Sequence, residues 1–149
     1  MSLIVQKFGG TSVGDIDRIR NVAMRVSKTF DEGNDVVVIL SAMSGVTDSL
    51  IKMANQVAYA PDKRELDVLL TTGEQTTVAL LAMMLKGMNY PAISLLGHQA
   101  EILTDSDFGN ARIAGIGARR IKEFLNNRTI VIIAGFQGSD SYGNLTTLG

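Results

Sequence analysis

Leu3-Ile4-Val5-Gln6-Lys7-Phe8-Gly9-Gly10-Thr11-Ser12-Val13-Gly14 decides how the rest of the chain is read. Leu3-Ile4-Val5 is a short apolar strand, and the residues from Ile16 onward have helical spacing, so Lys7 to Gly14 forms a strand-to-helix turn. Glycines there let backbone N–H groups approach an anion closely. The start of the helix adds free N–H groups and the positive end of its dipole. Lys7 adds a full charge, and we read it as the phosphate-side cation, with Gly9 and Gly10 offering N–H groups to the same phosphates. The lysine precedes the glycines, so the spacing is not that of a Walker A loop. Ser12-x-x-Asp15 matches a capping box and predicts that Ser12 starts the helix.

The pattern downstream alternates between helical spacing and short apolar runs. Ile16, Ile19, Ala23, Val26 and Phe30 share one helical face, and Gly33 ends that helix. Asp35 to Leu40 reads as a strand covered on both faces. A loop from Ser41 to Gly45 leads to a helix capped by Thr47 and broken by Pro61. Leu66, Leu69 and Leu70 predict a helical segment interrupted near Thr71-Thr72-Gly73, which would put Glu74 at a new helix start. Val78, Leu81 and Leu85 carry that helix to Gly87. Ala92 to Leu96, Glu101 to Thr104 and Thr129 to Ala134 read as strands, and Ile116 to Leu125 as a helix. Ser139 to Asn144 has the turn signal of a hairpin tip, while Leu145 to Gly149 leads into no closing element. This β-α-β-α rhythm predicts an α/β fold, a three-layer α/β/α sandwich with a mainly parallel sheet. Ligands in such sheets gather at the carboxyl ends of the strands, here Gly9–Gly14, Ser41–Thr47, Gly97–Gln99 and Gly135–Gly138.

Composition narrows the chemistry. The 149 residues carry a net charge of −1, no cysteine and one histidine. The charge argues against a nucleic-acid binder. Without cysteine there is no disulfide or thiolate chemistry, which fits a cytoplasmic setting. No leader precedes the first strand, and no apolar run approaches the roughly 20 residues of a membrane span, so neither secretion nor a membrane is expected. His98 reads as a loop hydrogen-bonder, and Asp105 and Asp107 as a solvated turn; no magnesium ligand is assigned.

Three stretches together resemble one family: Lys7–Gly14; Val36 to Met43 followed by Val46-Thr47; and Leu69-Leu70-Thr71-Thr72-Gly73-Glu74. In this order they are similar to the N-terminal part of the aspartate kinase family, within the amino-acid kinases. Asn110-Ala111-Arg112, Ala134 to Gly138 and Thr146 to Gly149 extend the likeness over the whole chain. The resemblance implies transfer of a phosphoryl group from MgATP to the side-chain carboxylate of L-aspartate, the first step towards lysine, threonine and methionine. A carboxylate is ionised at neutral pH, so such a reaction needs no general base; it needs cations and N–H donors between two anions. The resemblance puts Lys7, Phe8, Gly9, Gly10 and Ser41 at the nucleotide phosphates. It puts Ala42, Gly45, Val46 and Thr47 around the amino acid, and Glu74 at its α-ammonium.

Members of that family continue with an arginine-glycine-glycine-serine-aspartate stretch and regulatory domains. The expectation is therefore that residues 1–149 are the N-terminal portion of the kinase domain, truncated on its C-terminal side, inactive alone and prone to self-association as a homo-oligomer. Two other readings stay open. One is a related kinase of glutamate, acetylglutamate or uridylate. The other is a non-catalytic binding module, which a natural stop after Gly149 would favour.

Overall fold

The computed structural model describes residues 2–149. Strand β1 (Leu3–Phe8) leads through a 3-10 turn (Gly10–Val13) into helix α1 (Ile16–Asp31). Strand β2 (Asp35–Leu40), helix α2 (Val46–Val57) and helix α3 (Lys63–Gly87) follow. Then come β3 (Ala92–Leu95), β4 (Ile102–Thr104), β5 (Ile113–Ile116) and α4 (Arg119–Asn126). The last elements are β6 (Ile130–Ala134), β7 (Gln137–Ser139) and β8 (Leu145–Thr147).

The main sheet runs β1-β2-β6-β3, with every neighbouring pair parallel. Its side chains divide by the period of two. Val36, Val38 and Leu40 of β2 face α1 and α3, meeting Ile19, Val22 and Val26 on one and Val78, Leu81 and Leu85 on the other. Val37 of β2 and Val131 and Ile133 of β6 face the other way, towards Leu125 of α4. These are the three expected layers. Leu40, Leu81, Leu85 and Ile132 are wholly buried, each worth about 1.5–3 kcal/mol of transfer free energy. A second, smaller sheet runs β5-β4-β7-β8 and mixes antiparallel with parallel pairs.

Five local expectations are corrected. The N-cap of α1 is Asp15, whose carboxylate accepts the Arg18 N–H at 2.8 Å; Ser12 lies in the preceding 3-10 turn. The N-cap of α2 is Gly45, in the left-handed region at φ 82°, which leaves Thr47 as the second helical residue with no capping bond. Helix α3 is continuous for 25 residues through Thr71-Thr72-Gly73. The Thr71 and Thr72 hydroxyls donate back to the Val68 and Leu69 carbonyls, at 2.9 and 2.6 Å, and the ladder goes on. Glu74 is thus in mid-helix, not at a helix start. Ile116 ends strand β5, and the following helix begins only at Arg119. Leu145–Thr147 is a strand, paired with β7 across a hairpin whose Gly143 has φ 82°.

By length and composition α3 matches what a membrane span requires. Its Val78, Leu81 and Leu85 are buried against the main sheet, the position of a core helix. Gly73 sits where α2 crosses it: a Cβ there would come within 3.0 Å of the Ala42 Cβ and 3.2 Å of Val46 Cγ1.

Candidate active site

The carboxyl ends of β1, β2 and β6 open on one side of α3, and a cleft of about 400 Å³ lies there. Gly10 comes from the turn after β1, and Ser41 to Gly45 and Thr47 from the loop and helix start after β2. Phe136 follows β6. Leu70 and Glu74 project from α3, and Thr147 and Leu148 close the far wall. Of the expected site residues, Gly10, Ser41, Ala42, Gly45, Thr47 and Glu74 therefore converge.

The others stand apart from the lining in different ways. Val46 packs beside Gly73. Phe8 is buried in the core, and only its carbonyl is turned to the loop, accepting the Ser41 N–H at 3.3 Å. Gly9 is exposed, with open space where a Cβ would stand. The Lys7 ammonium rests over the Phe136 ring at 4.7 Å from its centroid, beside the cleft, a cation–π contact that leaves its hydrogen-bonding capacity to a ligand. Lys7 has no ion-pair partner among the described residues. His98 is exposed in the turn after β3 and does not line the cleft.

The two loops are locked together. The Ser44 N–H donates to the Gly10 carbonyl at 3.1 Å, and a Cβ on Gly10 would lie 3.1 Å from the Ala42 carbonyl oxygen. No side chain caps the start of α2; the Val46 N–H donates to the Met43 carbonyl at 3.0 Å, which leaves the Thr47 and Asp48 N–H groups for an anion. Across the cleft, Gly135 N–H donates to the Leu40 carbonyl at 2.8 Å, and Leu148 N–H to Phe136 at 2.9 Å.

Among the described residues, Glu74 is the only ionisable side chain lining the cleft. Burial pushes its carboxyl up from 4.5 to about 8, and a hydrogen bond from Gln137 offsets only part of that. Gln137 Nε2 donates to Glu74 Oε2 at 2.9 Å and to the Thr71 carbonyl at 3.3 Å. Seven residues earlier on α3, the buried Asp67 accepts from Thr147 N–H (3.0 Å), Thr147 Oγ1 (2.8 Å) and Gly109 N–H (3.0 Å), and so moors β8.

Sequence reasoning missed Gln137 and Asp67, and assigned no role to Leu70 or Thr147. Asp67 falls near a helix start, where an acidic residue ordinarily faces water. Gln137 falls inside the Gly135–Gly138 loop, but nothing in that stretch singles out its side chain.

The groups fit a nucleotide's phosphates: the N–H groups of exposed Gly9 and half-buried Gly10, the Lys7 ammonium and the Ser41 hydroxyl. No cluster of three His, Cys, Asp or Glu occurs among the described residues. A magnesium ion arriving on phosphate oxygens keeps several waters and needs no such cage.

The chain is 56% identical over 149 residues to an aspartokinase of Bacillus sp. (strain MGA3), covering 100% of this chain and 36% of that protein. It is 50% identical over 147 residues to the aspartokinase of Helicobacter pylori, covering 99% and 36%. The chain thus spans little more than a third of the curated relatives it matches. Among solved structures, aspartate kinase from Synechocystis is 42% identical with a TM-score of 0.79, over 99% of this chain and 24% of that one. Escherichia coli aspartokinase III, in complex with lysine and aspartate, is 25% identical with a TM-score of 0.87, over 99% and 44%. The model of the amino acid kinase family matches residues 2–149, and the chain, with its parallel sheet and its cleft at the strand ends, belongs to that family.

Proposed function

We propose that this chain provides the phosphate grip and the amino-acid seat of an aspartate kinase, transferring the γ-phosphoryl group of MgATP to the side-chain carboxylate of L-aspartate. The observation that carries the reading is Glu74, the one ionisable side chain among the described residues of a cleft lined by Gly10 of the first turn and by the uncapped start of α2. A zwitterionic amino acid asks for that set: an anion for its ammonium, N–H and hydroxyl donors for its carboxylates. The relatives at 50–56% identity are named aspartokinase, and the aspartokinase III complex holds aspartate.

In this reading the Lys7 ammonium and the Gly9 and Gly10 N–H groups offset the repulsion between carboxylate and triphosphate. Ser41 steadies the phosphates. Ala42, Gly45, Val46 and Thr47 shape the seat of the substrate. Phe8 contributes its backbone, its side chain being core. A carboxylate oxygen forms the new O–P bond as the bond to ADP breaks, and no proton moves. The setting is cytoplasmic, and the acyl phosphate enters lysine, threonine and methionine synthesis. The protein works as a homo-oligomer, its main sheet having exposed apolar residues at Leu3 and Val5 on edge strand β1.

The test is a coupled ADP-release assay with hydroxamate capture of the product, on the natural full-length protein. Lys7→Ala lowers kcat by about 100-fold or more, and Glu74→Ala raises KM for aspartate by about 10-fold or more. Normal turnover in either variant, or turnover with glutamate, acetylglutamate or uridylate in place of aspartate, overturns the reading. The chain of 149 residues alone is expected to show no turnover.

A further inference from the structure

Gln137 is 2% exposed and yet makes three polar contacts, one to the turn after β3 and two to α3. Its Oε1 accepts the Gly97 N–H at 3.1 Å. Its Nε2 donates to the Thr71 carbonyl at 3.3 Å and to Glu74 Oε2 at 2.9 Å. Two of these partners are backbone groups that cannot exchange roles: an N–H only donates, a carbonyl only accepts. They fix which end of the amide is which. Glu74 therefore faces an N–H, and its Oε2 is an acceptor whatever the pH.

We propose that Gln137 is a positioning residue for Glu74: it dedicates Oε2 to an internal bond and leaves Oε1, with its lone pairs and any proton, as the oxygen that receives the ammonium of a bound amino acid. The identity of the ligand rests on the function proposed above; the division of labour between the two oxygens does not.

The chemistry follows from the surroundings. Among the described residues nothing else ionisable lines the cleft: the loop after β2 gives Ser41, Ser44 and Thr47, the far wall Thr147 and Leu148, and α3 itself Leu70. Asp67 lies two turns away, engaged with Gly109 and Thr147. The Lys7 ammonium lies on Phe136. Burial thus acts on Glu74 with only Gln137 to oppose it. An incoming ammonium restores the missing countercharge, so its binding expels a proton near neutral pH. The fixed amide N–H keeps that carboxylate oriented while the proton leaves.

The experiment follows the Glu74 carboxyl by ¹³C NMR against pH in the full-length protein, unmodified and with Gln137→Met or Gln137→Glu. In the unmodified chain the Gln137 Nε2 proton resonance moves through the same midpoint as Glu74. Gln137→Met raises that midpoint by roughly one pH unit. Gln137→Glu keeps an acceptor for Gly97 and sets a second carboxyl against Glu74, so the two titrate as a pair whose upper step lies above the unmodified midpoint. In the same protein, KM for aspartate against pH shifts alkaline in both variants, while kcat at saturating aspartate changes by less than about two-fold.

An Nε2 resonance that ignores the Glu74 titration overturns the proposal without any variant. So does a Glu74 midpoint unchanged in Gln137→Met, or one returned to normal in Gln137→Glu, which would reduce Gln137 to a support for Gly97. If Glu74→Gln leaves KM for aspartate unchanged, the substrate assignment falls, and the NMR titration still decides the coupling of the two side chains.

Discussion

Replacing Glu74 by glutamine tests the electrostatics of the cleft through folding alone. Glutamine keeps an oxygen for the Gln137 N–H and removes the titration. In the folded chain the carboxyl stands at about 8 against an ordinary 4.5. Each pH unit of difference corresponds to about 1.4 kcal/mol, so the gap amounts to about 5 kcal/mol at most. Water at the cleft mouth reduces that, and about 2–4 kcal/mol is the working figure. The sign follows from proton counting: between 4.5 and about 8 the folded state holds a proton that the unfolded state has lost. The unmodified chain is therefore penalised increasingly as pH rises through that window, and the penalty is complete above it. Urea denaturation at pH 5, 7 and 9 reads this directly. Glu74→Gln is expected to match the unmodified chain near pH 5 and to exceed it by about 2–4 kcal/mol at pH 9. Parallel stability profiles for the two chains across that range would refute the claim that burial dominates at Glu74.

Two further outcomes come from packing and hydrogen bonding. Asp67→Ala strips the buried partner from Thr147 and Gly109 and is expected to cost about 2–4 kcal/mol in urea unfolding, with faster amide exchange at Thr147. Gly73→Val forces branched carbons against Ala42 and Val46 and is expected to destabilise by about 1–3 kcal/mol, or more if α2 cannot yield, measured by thermal unfolding.

What could be read from the chain depended on whether the signal was local. Val36 to Leu40 declared itself because a strand buried on both faces needs an unbroken apolar run. The turn at Lys7 to Gly14 was legible because glycine and a charge do the same work in any such loop. Thr71-Thr72-Gly73 misled because it has the composition of a turn, and only the crossing of α2 explains why a glycine belongs inside a helix there. Strand β5 is short and largely exposed, so its sequence shows no alternation; pairing with β4 makes it a strand. Glu74 was picked out from the sequence, but its environment was not: the Gln137 amide reaches it across 63 residues.

One helix holds both Glu74 and the carboxylate that moors Thr147, seven residues apart, a span of about 10 Å at the helical rise. A pull on the charge is thereby a pull on the opposite wall, through a single rod. Because Val78, Leu81 and Leu85 bind that rod to the main sheet, the width of the chamber is set by the same packing that holds the core together.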